Sequence, residues 1–257
     1  MMYDELFSRE TSLNRNNCKL FCTFALLITK QPMKKQDLYV AAFCLLLFLP
    51  FVFSPALYDF YKSFNAEHGM IMAAIKFGVL STLGEVIGLR IRTGGYNLKG
   101  FGLVPRALVW ALLGMWINMS FKIFGAGAPV FAEYMGVSGT VSAMAGGFTW
   151  LKLFGAFLIS ASMNTSFGPV FMTLHKVTDT HIMNNGGTLR GFFRPIPMAK
   201  ILKELNWDVQ WNFVFKKTIP FFWIPAHTLT FLLPADWQIL VAALLGVALG
   251  ILLSLRR

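Results

Sequence analysis

Six runs of about twenty mostly apolar residues, separated by loops whose cations fall on alternate sides, leave this chain few ways to fold. The runs cover 38–58, 69–89, 103–124, 149–174, 212–233 and 235–254. Hydrocarbon offers no partner for a bare backbone N–H or C=O, so a spanning segment must satisfy them internally, as a helix does. Lys34 and Lys35 precede the first run, Arg90, Arg92 and Lys99 lie between the second and third, and Arg106 lies at the start of the third. Lys176, Arg190, Arg194, Lys200 and Lys203 lie between the fourth and fifth, Lys216 and Lys217 lie at the start of the fifth, and Arg256 and Arg257 follow the sixth. The other side holds Lys62, with Lys122 and Lys152 near run ends. Cations gather on the cytoplasmic side. The expected fold is therefore an all-α polytopic integral membrane helical bundle of about six transmembrane helices, N-in/C-in, with 33–257 as a single transmembrane domain.

Composition agrees. Of 257 residues, 56% are hydrophobic and 14% charged, against roughly a quarter charged in soluble domains, too few for a water-facing skin. A net charge of +11 suits a nucleic-acid face or cytoplasmic loops. Its spread between apolar runs selects loops, so the expected partner is the lipid bilayer and not nucleic acid. Cys18 and Cys22 have no second pair and no nearby His, and Cys44 lies in an apolar run. No disulfide framework, metal or cofactor is expected.

Residues 1–32 fit the pattern poorly. The stretch Leu20–Thr29 is too short to span, Asp4, Glu5 and Glu10 stand where a signal peptide carries bases, and no cleavage site follows. With Met33 opening Met-Lys-Lys-Gln, 1–32 reads as a loose N-terminal tail or a mis-assigned start. The lack of a transit peptide favours a bacterial inner membrane over an organelle. Residues 126–148, rich in Gly and Ala with Pro129 and Glu133, read as an external loop or a re-entrant piece. Residues 175–211 read as the longest inner loop. It has a turn at Asn184–Gly187, a basic amphipathic helix over Met198–Leu205, and His175 and His181 solvated, as is His68 elsewhere.

Small residues at four-residue spacing let helices approach closely where lipid removes the hydrophobic drive to associate. Such stripes are Gly84 and Gly88 in the second run, Ala156, Ser160, Asn164 and Gly168 in the fourth, and Ala242, Gly246, Gly250 and Ser254 in the sixth. Ionisable residues inside spans are costly and mark function. Glu85 and Lys76, nine positions apart, face opposite ways. The third run carries Arg106, Trp110, Gly114, Asn118 and Lys122 in four-residue steps, and Arg106 lies at the depth of Glu85, so an interhelical Glu85–Arg106 pair is expected. Pro220 and Pro225 kink the fifth run, with His227 and Thr230 beyond them. Gly136-Val137-Ser138-Gly139 matches the Gly-x-Ser-Gly of rhomboid intramembrane proteases, for which His227 would be the base, but Thr230 stands where their His motif has Gly.

In order and spacing, residues 70–257 resemble the Mpv-seventeen/peroxisomal-membrane-protein family. Its Gly-Asp near the end of an early span has its counterpart in Gly84-Glu85. Its basic loop, Gly-Pro and aromatic pair correspond to Arg90, Arg92, Gly102, Pro105 and Trp110. Its Asp-Gln-x-x-Phe-Ala-Pro corresponds to Met163-Asn164-Thr165-Ser166-Phe167-Gly168-Pro169, without the acid. Its last series corresponds to Trp223, Pro225, His227, Thr230-Phe231, Pro234 and Leu253-Ser254, with Trp237-Gln238 in place of Arg. Residues 38–58 and 126–148 look like additions to that family's four-span plan. The resemblance implies a helical membrane protein acting as a pore or metabolite channel.

These residues lead to an expected channel or transporter for a small polar or anionic solute, and not an enzyme. Glu85 and Arg106 would form a cytoplasmic-side gate, Asn118 and Asn164 would hydrogen-bond in mid-path, and His227 would be an outer contact. A non-transporting scaffold is the alternative, a serine protease using Ser138 the remote one. A homo-oligomer is compatible with either main reading.

Overall fold

The computed structural model describes residues 32–96 and 98–254, with side chains through Ile251. The reading of 1–32 therefore lies, except for Pro32, outside the described residues. Among them every regular element is helical. In chain order these are α1 (Lys35–Phe53), α2 (Pro55–Glu67), α3 (Gly69–Thr93), α4 (Leu103–Tyr134), α5 (Thr140–Ala145), α6 (Trp150–Ser166), α7 (Gly168–Asn184), α8 (Leu189–Phe192) and α9 (Met198–Glu204). A helical turn at Trp207–Val209 then leads into a π-helix, Gln210–Trp223, which continues into α10 (Ile224–Leu232), and α11 (Ala235–Ser254) ends the fold. Three helices, α1, α3 and α4, are long and apolar enough to cross a membrane, and Ala235–Ile251 of α11 is a shorter apolar helix.

Several boundaries depart from the sequence reading, each with a local cause. The first run breaks at Ser54, whose hydroxyl accepts from Leu57 N–H at 3.3 Å and whose successor Pro55 opens α2; a Ser cap followed by Pro at N1 starts a helix. Residues 126–134 are not loop but the end of α4. Proline inside a helix costs about 3 kcal/mol, yet Ala128, Pro129 and Ala132 are buried, and their packing carries the helix through. Only 135–149 leave it, through Gly136 and Gly139 with φ of 94° and 80°, and around the short α5. The fourth run does not stop at 174. Phe167 keeps right-handed helical angles, so α6 and α7 form one rod that continues to Asn184. The Asn184–Gly187 turn and the helix from Met198 are where the sequence placed them.

The α6–α7 rod runs antiparallel to α4. Phe167 packs on Trp116, Phe171 on Trp110, and Asp179 reaches Arg106. Where these rods end, Gly102 and Gly187, both left-handed, bring their backbones together. A Cβ on Gly187 would lie 2.7 Å from Gly102 N, a contact no other residue tolerates. The core joins Phe77 and Leu80 of α3, Ile117 and Phe121 of α4, Ile159 and Met163 of α6, Phe231 of α10 and Ala243 of α11. Helix α1 buries none of its residues. It is tied by its first turn, where the Asp37 carboxylate accepts two bonds from Arg90, at 2.7 and 2.8 Å, and one from Tyr96 at 2.7 Å. Lys34 Nζ also donates to Gly94 O. Burial, then the bond to Asp37, hold the Tyr96 phenol up at about 12, so it stays a donor at any ordinary pH.

The small-residue stripes are contact seams. A Cβ on Gly84 would meet Val247 Cα at 2.7 Å, and one on Gly250 would meet Gly84 O at 3.3 Å, so α3 and α11 touch through backbone. Gly246 lies against Ser81. On the other side of α3, a Cβ on Gly114 would meet Phe77 Cβ at 2.5 Å and Ala73 O at 2.7 Å. Ala156 is fully buried, Ser160 donates to Ile224 O at 2.8 Å, and Gly168 faces Ile219. Gly114→Ala should therefore lower the stability of the detergent-solubilised protein by about 1–3 kcal/mol through overpacking. Gly125→Ala, where a Cβ meets nothing within 4 Å, should raise it by about 0.5–1 kcal/mol. Thermal unfolding of both variants checks this, and equal shifts would contradict the seam.

Candidate functional site

Five of the six long rods surround a cavity of about 660 Å³; α1 is not among them. Its walls come from α3, α4, α6–α7, the π-helix with α10, and α11. Pro220 lies inside the π-helix and Pro225 in the first turn of α10. A proline removes a backbone donor, and the wider π turn is one way a chain accommodates the lost bond.

One end of the cavity is ionic. Arg106 Nη1 donates to Glu85 Oε2 at 2.5 Å and to Asp179 Oδ1 at 2.7 Å, while its Nε donates to Phe101 O at 2.7 Å. The guanidinium also lies over the Phe101 ring, 4.6 Å from its centroid. The other Glu85 oxygen accepts from Trp110 Nε1 at 2.9 Å and lies 3.2 Å from His175 Nε2, which is 3.6 Å from Asp179. Glu85, His175 and Asp179 bring ligand atoms within 4.8 Å of one another, but the Arg106 guanidinium stands where a bound cation would, so the carboxylates are already compensated. Three helices thus meet on one side chain, with Glu85 from α3, Arg106 from α4 and Asp179 from α7.

The other end is neutral. The Asn164 amide lies 3.1 Å from His227 Nδ1 and donates to Ser160 O at 2.8 Å. The rings of Trp223 and Phe121 flank His227, with centroids at 5.2 and 5.6 Å. Between the two ends the wall is aromatic and apolar.

Of the residues singled out from sequence, Glu85, Arg106, Asn164 and His227 line this one cavity, with Gly88, Gly168, Ala242, Gly246 and Gly250. Asn118 is not in mid-path. It is buried against Met70, with Nδ2 3.1 Å from the sulfur. Steps of four residues drift by about 40° each, so three steps turn Asn118 about 120° away from Arg106. Lys76 avoids Glu85 as expected and donates to Asn65 at 2.5 Å. His175 and His181 are not solvated loop residues: both lie on α7, the first in the ionic cluster and the second buried and 3.2 Å from Phe192 O. Ser138 is exposed, while His227 is engaged with Asn164.

Asp179 and His175 were missed because the apolar count falls off after residue 174. Phe167, Phe171, His175 and Asp179 nonetheless continue at four-residue spacing, which is the signal that would have found them. Comparison of the chain with family models, curated proteins and solved structures finds no match.

Removing one member of a buried charge cluster is costly when it strands the others. Arg106→Gln strands two carboxylates and should cost about 3–5 kcal/mol. Glu85→Gln leaves Arg106 paired with Asp179 and should cost less than half of that. Unfolding of the purified variants in one detergent makes the comparison; an equal loss would show that Arg106 is not shared as described.

Proposed function

We propose that the protein is a polytopic membrane protein with six spans and both ends cytoplasmic, acting as a channel or transporter for a small polar or anionic solute. The observation that carries this reading is a cavity of about 660 Å³ that holds a shared Arg106 at one end, inside a bundle too apolar for water. Soluble-ligand sites have similar volumes, but here the surrounding helices expose large apolar side chains such as Leu112, Ile123 and Phe221. The alternating cations support the orientation, since Arg90 and Arg106 sit with Asp37 at one end of the bundle. The resemblance of 70–257 to the Mpv-seventeen family supports the same reading.

Three cations, Arg92, Arg106 and Lys176, face two carboxylates, Glu85 and Asp179, around the ionic end, and such a mouth favours anions. Because Arg106 joins three helices through two carboxylates, an entering anion competes with Glu85 and Asp179 for it. Releasing either carboxylate loosens α3 or α7 against α4. In this reading Glu85, Arg106 and Asp179 form the gate, and Asn164 with His227 forms the polar contact at the far end. The scaffold alternative draws on α1, which buries none of its residues and exposes large apolar side chains such as Leu46 and Val52.

Flux of small anions into protein-containing liposomes tests the transport reading. The wild type should carry solute, and Glu85→Gln and Arg106→Gln should change the rate at least about tenfold, as loss of one charged hydrogen bond implies. Wild-type liposomes no more permeable than empty ones would favour the scaffold.

A further inference from the structure

The cavity that serves as the solute path in this reading has an unusual balance of chemistry. Its ends are polar, but between them the lining is mostly Phe77, Trp110, Ile117, Met163, Phe167 and Phe171, with Ser81 and Thr218 as the polar groups. A small, fully hydrated solute gains nothing from such a wall and loses its water on entering. An apolar body gains by leaving water for it.

Two residues that line this cavity also carry a buried donor without an acceptor. Among the described residues, neither Gln210 Nε2 nor Trp223 Nε1 has a hydrogen-bond partner. Gln210 is 7% exposed. The two open and close the π-helix, so they stand at its opposite ends, and both line the cavity. An unsatisfied buried donor costs about 1–3 kcal/mol, and buried groups left so need a reason. Ser81 Oγ, also lining the cavity, is a third such group.

We propose that the cavity binds an amphipathic organic anion, with one carboxylate or phosphate head on an elongated apolar body. The head lies at the ionic end, where it takes hydrogen bonds from Arg106 and Gln210. The body lies along the aromatic wall toward the neutral Asn164–His227 pair, so of the two unmet donors the ligand head satisfies Gln210 and leaves the Trp223 N–H as it is. A neutral alkyl molecule leaves the head donors unmet, and a short dicarboxylate leaves the aromatic wall without contact, so each half of the ligand is needed.

Calorimetric titration of the full chain in phosphatidylcholine nanodiscs, with empty nanodiscs subtracted, tests this with decanoate, decanol and succinate. Decanoate should bind saturably at one site, decanol at least about tenfold more weakly, and succinate should give no heat. Gln210→Leu keeps the bulk and removes the donor. It should weaken decanoate about tenfold while leaving the ligand-free melting temperature unchanged or higher, since an unmet donor is gone. Dihexanoylphosphatidic acid in a parallel titration separates the sources of the head: tighter binding than decanoate assigns a lipid, weaker binding a free acid, and either upholds the class. Succinate binding as well as decanoate, decanol matching decanoate, no decanoate binding at all, or an unchanged affinity in Gln210→Leu would each overturn the proposal. Liposome flux of a small polar anion together with absent decanoate binding would leave the transport reading standing and remove only this class of ligand.

Discussion

The guanidinium of Arg106 is the point at which α3, α4 and α7 are held in one arrangement. A lone cation in a low-dielectric interior is costly, and so are two lone carboxylates, so neither Glu85 nor Asp179 is buried here without Arg106. The bonds at 2.5 and 2.7 Å, with Phe101 O as a third acceptor, use the planar fork of arginine in a way that lysine could not reproduce. That requirement fixes the depth of α7 along α4, and with it the extension of the α6–α7 rod to Asn184. The cavity has its ionic end there because those three helices converge there.

The remainder of the bundle depends on dispersion and close backbone approach. Gly84 against Val247, Gly250 against Gly84 and Gly114 against Phe77 set α11 and α4 on two sides of α3. These seams leave α3 little freedom to slide, whereas the opposite wall, made by the π-helix and α10, carries Pro220 and Pro225. A wall built from wide turns makes fewer ordinary i→i−4 bonds and yields more readily than the glycine seams.

Much of this was legible in the sequence, and the reasons differ by residue. The apolar runs gave the six rods, because periodic burial in a bundle leaves a long apolar signature whatever the partner helices are. Glu85 and Arg106 were legible as a pair, since two opposite charges at one depth in adjacent helices have few alternatives. Asp179 and His175 were not, because a helix that turns one polar face to a cavity loses its apolar average while keeping its fold. Asn118 was misplaced for a geometric reason: a stripe of four-residue steps reads as one face in a string of letters but winds through about 120° in three steps. The continuation of α4 beyond residue 126 was hidden by Gly125, Gly127 and Pro129, whose poor helix propensity is overridden by the burial of Ala128 and Ala132. The Asp37–Arg90–Tyr96 tie of α1 rests on a turn far from α1 in sequence, and no local pattern encodes it.

The two ends of the cavity bind by different means, and this gives it a direction. At the ionic end Glu85, Arg106, His175 and Asp179 form one charged network, so its hold on a ligand head depends on charge. At the neutral end the Asn164 amide and His227 satisfy each other, leaving the Trp223 N–H as the unmet donor. An anionic head therefore has one low-energy position in the cavity and not two. In the proposed reading, a molecule entering head first from the far side travels the aromatic wall before it meets Arg106, whereas one entering from the ionic side meets its tightest contact at once. The asymmetry follows from where α7 presents Asp179 and where the π-helix begins at Gln210, two residues that lie beyond the ends of the apolar runs.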